Sequence, residues 1–205
     1  MMIINKLRCV KSSLQTILVT NDRYSDKSAT LETFEKTGDV WERVFPPMNA
    51  VLGKNGFTCN KIEGDGKSPI GVYKLQTCFG KYPNPSTLLP YRQTTENDTW
   101  VDDVDSLYYN TWQVNPAYGR WSSGEVLRPE DGVYYDYSIV INYNTADRIP
   151  GRGSAIFLHI WEGPDVPTFG CIAVEYDNLL KIIRWLNPSS NPIIIQGPMN
   201  EVLRW

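Results

Sequence analysis

The 205 residues predict a mainly β chain with a few helices, and three observations carry that expectation. Short runs rich in β-branched and aromatic residues recur, bounded by Gly, Pro, Asn and Asp clusters. Only one segment, near the C-terminus, spaces its apolar residues at a sustained helical period. No repeat, low-complexity tract or shift in composition marks a linker, so residues 1–205 are expected to form one domain.

Taken in order, Gln15 to Thr20 reads as a β-rich run followed by a turn from Asn21 to Lys27. Ala29 to Phe34 and Asp39 to Phe45 read as successive strands broken by Thr37-Gly38-Asp39, and Pro46-Pro47 ends that pattern. A Gly-rich turn in KIEGDGKSPIGVYKL, residues 61–75, feeds a strand at Gly71 to Leu75. Residues 78–130, dense in Tyr, Trp, Pro, Asn and Asp, predict long loops and short helices around a cleft rather than regular sheet. Tyr137 to Tyr143 and Ser154 to Ile160 read as two strands of a buried sheet, joined by a turn around Pro150-Gly151-Arg152-Gly153. DNLLKIIRWL then predicts a helix with Asp177 as its cap, stopped at Asn187-Pro188, before a last strand from Pro192 to Gln196.

Composition narrows the function classes. A hydrophobic share of 41% with 21% charged residues suits a soluble folded chain, and a net charge of -3 lacks the basic surface a nucleic-acid binder needs. Seven Trp and twelve Tyr keep stacking surfaces for sugars or peptides in play. The cysteines Cys9, Cys59, Cys78 and Cys171 form no C-x-x-C, and one histidine does not supply a Cys/His zinc site; a disulfide among the first three is left open. After Lys6, Arg8 and Lys11 no uninterrupted apolar run follows, so no signal peptide is read. No run approaches the ~20 apolar residues of a membrane span.

Two motifs are set aside. Gly66-Lys67-Ser68 resembles the end of a phosphate-binding loop, but Lys61 stands where its first glycine belongs and Pro69 where a helix opens, so GDGKSPIG reads as a structural turn. Asp102, Asp103 and Asp105 lack the glycine and closing Glu of a calcium loop and read as a hydrogen-bonded acidic turn.

The chemistry concentrates in FLHIWEGPDVPTFGCIAV, residues 157–174. A cysteine nucleophile needs a base and donors aimed at the oxyanion it creates. His159, the only histidine, sits near the end of a predicted strand. Twelve residues on, Cys171 follows Gly170, whose freedom lets successive N–H groups converge on one oxygen. Gly163, Pro164 and Pro167 fit a loop that folds back and brings Cys171 beside His159. The bland alternative is two buried residues that do nothing, and the pair alone does not exclude it. The order, His before Cys, excludes papain-like and NlpC-type peptidases. Sortase spacing and the caspase context are missing.

His159 with Thr168-Phe169-Gly170-Cys171-Ile172 resembles the signature of the L,D-transpeptidase catalytic domain of the YkuD type, in its Thr-x-Gly-Cys branch. LVTNDRY, VLGKNGF, EGDGKSPIGVYKL, FGKYPN, WVDDVDSLYYN, YSIVINYNT, PGRGSAIFLH and LLKIIRWLNP extend the likeness over a core from about 14 to 198. The resemblance implies a β-sandwich or barrel that works outside the cytoplasm, in periplasm or cell wall or secreted, on peptidoglycan stem peptides, as a monomer with no cofactor or metal. It further implies that Cys171 attacks the carbonyl of the third, diamino-acid residue of a stem tetrapeptide. D-alanine leaves, and the thioester passes to an amine or to water. By position Cys171 is the nucleophile, His159 the base oriented by the carbonyl of Ile160, and the N–H groups of Phe169, Gly170 and Cys171 the oxyanion donors.

Two departures stand out. Phe169 replaces a second histidine of many relatives, and Ala173 an arginine. Arg152, a short strand ahead of His159, is the candidate replacement for binding a stem-peptide carboxylate, and Trp161 and Thr168 are further candidate substrate contacts. An L,D-carboxypeptidase or amidase using the same Cys/His pair, and a non-catalytic wall-binding module, are the competing readings.

Overall fold

Alternation along each strand decides which face it buries. The computed structural model describes residues 2–10 and 12–205; Met1 and Lys11 of the basic N-terminal stretch lie outside them. The strands run β1 (Gln15–Asn21), β2 (Ser28–Thr37), β3 (Val40–Arg43), β4 (Met48–Val51), the two-residue pair β5 (Phe57–Thr58) and β6 (Ser68–Pro69), and β7 (Gly71–Gly80). They continue through β8 (Tyr91–Gln93), β9 (Asp98–Val101), β10 (Trp112–Val114), β11 (Gly124–Val126), β12 (Ser138–Ile141), β13 (Phe157–Ile160) and β14 (Ile172–Val174). Helix α1 (Tyr176–Trp185), β15 (Ile193–Pro198) and the short α2 (Met199–Val202) close the chain. The main sheet runs β1-β15-β7-β12-β13-β14-β4-β2, and β2 pairs with β1, so it closes into a barrel; β3 extends β2 and β8 extends β7.

Ile17 and Val19 of β1, Ile194 of β15, Ile139 and Ile141 of β12, Leu158 and Ile160 of β13, and Ile172 and Val174 of β14 share one core with Leu179, Ile182, Ile183 and Leu186 from α1 and its C-terminal end. Each such side chain contributes about 1.5–3 kcal/mol by leaving water. The alternate residues face outward into two smaller clusters. Leu18, Ile193 and Ile195 meet Ile4, Leu7 and Val10 of the N-terminal segment. Phe79, Val140, Phe157 and Cys171 meet Trp100, Leu127 and Tyr135. This second outer face carries the site.

Several expectations are corrected. Residues 78–130 contain no helix: β10, β9 and β11 form a three-stranded sheet laid over the barrel. Its strands are only three or four residues long and separated by Asn-, Asp- and Pro-rich turns, too short for period-2 alternation to register. Edge-to-face aromatic pairs fasten it, with ring centroids 5.2 Å apart for Trp100–Phe157 and 5.3 Å for Phe79–Trp112. The strand expected from Ser154 begins at Phe157, because Ala155 adopts a positive φ of 51°. Asp177 does not cap α1; it lies in the first turn, where its charge suits the helix dipole, and Glu175 holds the cap position without a side-chain bond. All four cysteines are free thiols. Asp103 accepts bonds from the N–H and hydroxyl of Ser122, and Asp102 accepts one from Ser123, which accounts for the acidic turn.

Candidate active site

Strand β13 and strand β14 run parallel, with Leu158 opposite Ile172 and His159 opposite Ala173. Since Leu158, Ile160, Ile172 and Val174 point into the barrel, Phe157, His159, Cys171 and Ala173 share the outer face. The loop from Trp161 to Gly170 makes the return without a helix. His159 and Cys171 are each 8% exposed and line one cleft of about 450 Å³, together with Trp161, Thr168, Phe169 and Gly170.

His159 Nδ1 lies 2.8 Å from the carbonyl oxygen of Ile160. A carbonyl only accepts, so Nδ1 carries the hydrogen and the lone pair is left on Nε2, the nitrogen a base needs. Burial pulls the imidazole down to about 4, against a smaller upward effect of the Ile160 carbonyl. The Cys171 thiol accepts from the Phe157 N–H and donates to the Ala155 carbonyl, both at 3.3 Å. Burial pushes it up to about 12, opposed by the Phe157 N–H. The resting pair is therefore a thiol and a neutral imidazole rather than a preformed ion pair.

The segment before Cys171 is tightly held. Gly170 has φ +147°, and a Cβ there would come within 2.9 Å of the Lys67 carbonyl oxygen. The Thr168 hydroxyl donates to the Cys171 carbonyl at 2.7 Å and accepts from the Gly170 N–H at 3.1 Å. Its side chain is thus spent on the loop, and the Gly170 N–H is already engaged. Ser68, fully buried in GDGKSPIG, donates to the same Cys171 carbonyl at 3.3 Å and accepts from the Gly53 N–H at 3.0 Å. That motif is structural in a specific sense: it clamps the backbone of Cys171. Phe169 is 79% exposed at the rim, with Lys54 Nζ 4.6 Å above its ring.

Arg152 is a correction. It is exposed, does not line the cleft, and its guanidinium donates to Asn60 Oδ1 at 2.5 Å. The cation among the lining residues is Lys61, 4% exposed and paired with Asp65 at 2.5 Å. Burial alone would raise the Asp65 carboxyl, but Lys61 and the Ile62 and Lys67 N–H groups hold it below its ordinary range.

Tyr135 and Glu125 were not visible as site residues in the sequence. Tyr135, 6% exposed, sets its ring edge-on to His159 with centroids 5.6 Å apart, and its hydroxyl donates to Glu125 Oε1 at 3.0 Å. Asn110 ties the outer sheet to the strand entry, accepting from Trp100 Nε1 at 2.7 Å and from the Ala155 N–H at 3.2 Å.

The family model described as the YkuD L,D-transpeptidase catalytic domain matches residues 20–195. Similar solved structures include the helical cell shape determining protein Pgp2 from Campylobacter jejuni, at 16% identity and a TM-score of 0.49, over 92% of this chain and 49% of that one. Another is Bdellovibrio bacteriovorus Bd1075, at 16% identity and a TM-score of 0.46, over 97% of this chain and 55% of that one. The chain thus spans about half the length of these structures. No curated protein matches it. With the family model covering most of the sequence, and with a mainly β barrel in place, the chain belongs to the L,D-transpeptidase catalytic-domain family of the YkuD type.

Proposed function

We propose that the chain is a catalytic domain that modifies peptidoglycan outside the cytoplasm, transferring the acyl group of a stem tetrapeptide through a thioester on Cys171. The observation that carries this reading is the shared outer face of β13 and β14, from which His159 and Cys171 open into one cleft. The imidazole, neutral at physiological pH and hydrogen-bonded through Nδ1, is ready to accept a proton at Nε2. Because the thiol rests protonated, proton transfer accompanies attack instead of preceding it.

Sγ adds to the carbonyl carbon of the third stem residue as its proton passes to His159. The oxyanion forms toward the N–H groups of Phe169 and Cys171, since Thr168 holds the Gly170 N–H. Collapse breaks the C–N bond, the imidazolium returns its proton to the departing D-alanine amine, and the thioester remains. Attack by an acceptor amine then forms the cross-link and frees the thiol. Trp161 lines the cleft as a wall for the stem peptide.

Mass spectrometry of purified disaccharide-tetrapeptide incubated with the protein tests this. A dimer lacking one D-alanine, formed by wild type and not by Cys171→Ala, is the expected product. A monomeric tripeptide alone identifies a carboxypeptidase, and no change in the muropeptide removes the stem tetrapeptide as substrate.

A further inference from the structure

We propose that Glu125 is a second acid–base residue of the cleft, acting on the acceptor: it holds the ammonium of the incoming amine and takes the proton that must leave before the nitrogen attacks the Cys171 thioester. The inference rests on the acyl-transfer reading above and extends it to the second half of the reaction.

Glu125 sits in the middle of β11, opposite Trp100 of β9, so it enters the cleft from the outer sheet. Phe169, Gly170 and Cys171 belong instead to the loop that leads into β14. One oxygen of Glu125 accepts from Tyr135, whose ring lies edge-on to His159 and which shares a packed cluster with Cys171. Among the described residues, its other oxygen makes no hydrogen bond within the protein. Glu63, Asp102 and Glu162 also line the cleft; Glu63 takes the hydroxyls of Tyr109 and Ser154 on one oxygen, Oε2, and Asp102 takes that of Ser123, so what sets Glu125 apart is its bond to the Tyr135 that packs on His159. The lining cation, Lys61, is occupied by Asp65. The cleft therefore offers carboxylate oxygens without partners while its lining cation is paired, which suits an ammonium-bearing acceptor. Burial, and to a lesser degree Asp102, raises the Glu125 carboxyl despite the bond from Tyr135, which makes it a better base than a free glutamate.

The chemistry requires such a group. An alkyl amine is protonated at neutral pH, with a pKa of about 10.4 for a lysine-type side chain. It must lose one proton to become a nucleophile and a second as the amide forms. His159, neutral again once D-alanine has left, accepts only one. Glu125 takes the first, giving a carboxylic acid and a free amine. The nitrogen adds to the thioester carbon, His159 takes the second proton from the resulting N–H, and the C–S bond breaks. The imidazolium returns its proton to Sγ, and Glu125 releases its own to water. Water as nucleophile needs only the His159 step, so Glu125 discriminates amine from water.

The test measures partition of the acyl-enzyme. Wild type, Glu125→Gln and Glu125→Asp are supplied with disaccharide-tetrapeptide as donor and Nα-acetyl-lysine amide as acceptor. Intact-protein mass reports the thioester, and product analysis gives the ratio of aminolysis to hydrolysis. Glu125→Gln is expected to lower that ratio by about tenfold or more, and Glu125→Asp to recover part of it. A thioester that forms in Glu125→Gln and partitions within about threefold of wild type overturns the inference and leaves the acyl-transfer reading intact; so does an equal loss in both variants, which assigns the effect to packing. No thioester in wild type overturns the acyl-transfer reading itself.

Discussion

At the scale of the residue, the buried His159 sets a measurable pH dependence. Its pKa of about 4 in the folded protein lies below the ordinary 6.5 of the unfolded chain. Between those values the unfolded chain binds a proton that the folded one refuses. The contribution is fully present above the unfolded value and is lost as pH falls toward 4, by about 3 kcal/mol in total. Urea unfolding of wild type and His159→Gln at pH 7.5 and pH 4 checks this: wild type is expected to lose about 3 kcal/mol more than the variant. Parallel losses in the two proteins would show that His159 does not titrate as a buried imidazole. The Cys/His pair itself was legible in the sequence because Gly-Cys follows the only histidine at loop-closing distance. Arg152 misled for the opposite reason. Closeness along the chain says little about where a guanidinium points, and here it ends on Asn60.

At the scale of the element, the loop that leads to Cys171 is held by a turn 103 residues earlier, through Ser68 and the Cys171 carbonyl. Ser68→Ala leaves the Gly53 N–H without its acceptor and removes one of the two donors to the Cys171 carbonyl, which keeps the Thr168 hydroxyl. A destabilisation of about 1–3 kcal/mol is expected in urea unfolding, together with slower thioester formation. Unchanged stability and rate would mean that Ser68 is not a clamp. The sequence showed GDGKSPIG as a turn through its glycines, and the inner strands through their apolar runs. It did not show what the turn touches, nor the strands of residues 78–130, whose three-residue length carries no period. Glu125 was hidden with them, since it reaches the cleft only as part of that outer sheet, and Tyr135, just ahead of β12, meets His159 only once β12 pairs with β13.

At the scale of the whole molecule, barrel and site divide the work between the two faces of one sheet. Inward residues of β12, β13 and β14 join α1 in the main core. Outward residues of the same strands meet the small sheet and form the cleft floor. A parallel β13–β14 pairing with unbroken alternation is what delivers His159 and Cys171 to the same side, and a slip of one residue would bury one of them in the barrel. The central claim is that this geometry makes Cys171 the point of covalent attachment. Rapid acid quench of the protein with disaccharide-tetrapeptide, followed by intact and peptide-level mass spectrometry, measures it directly. The expected result is an adduct of the muropeptide less D-alanine on the wild-type peptide containing Cys171, absent from Cys171→Ala. Consumption of the muropeptide by Cys171→Ala, or an adduct on another residue, would contradict it.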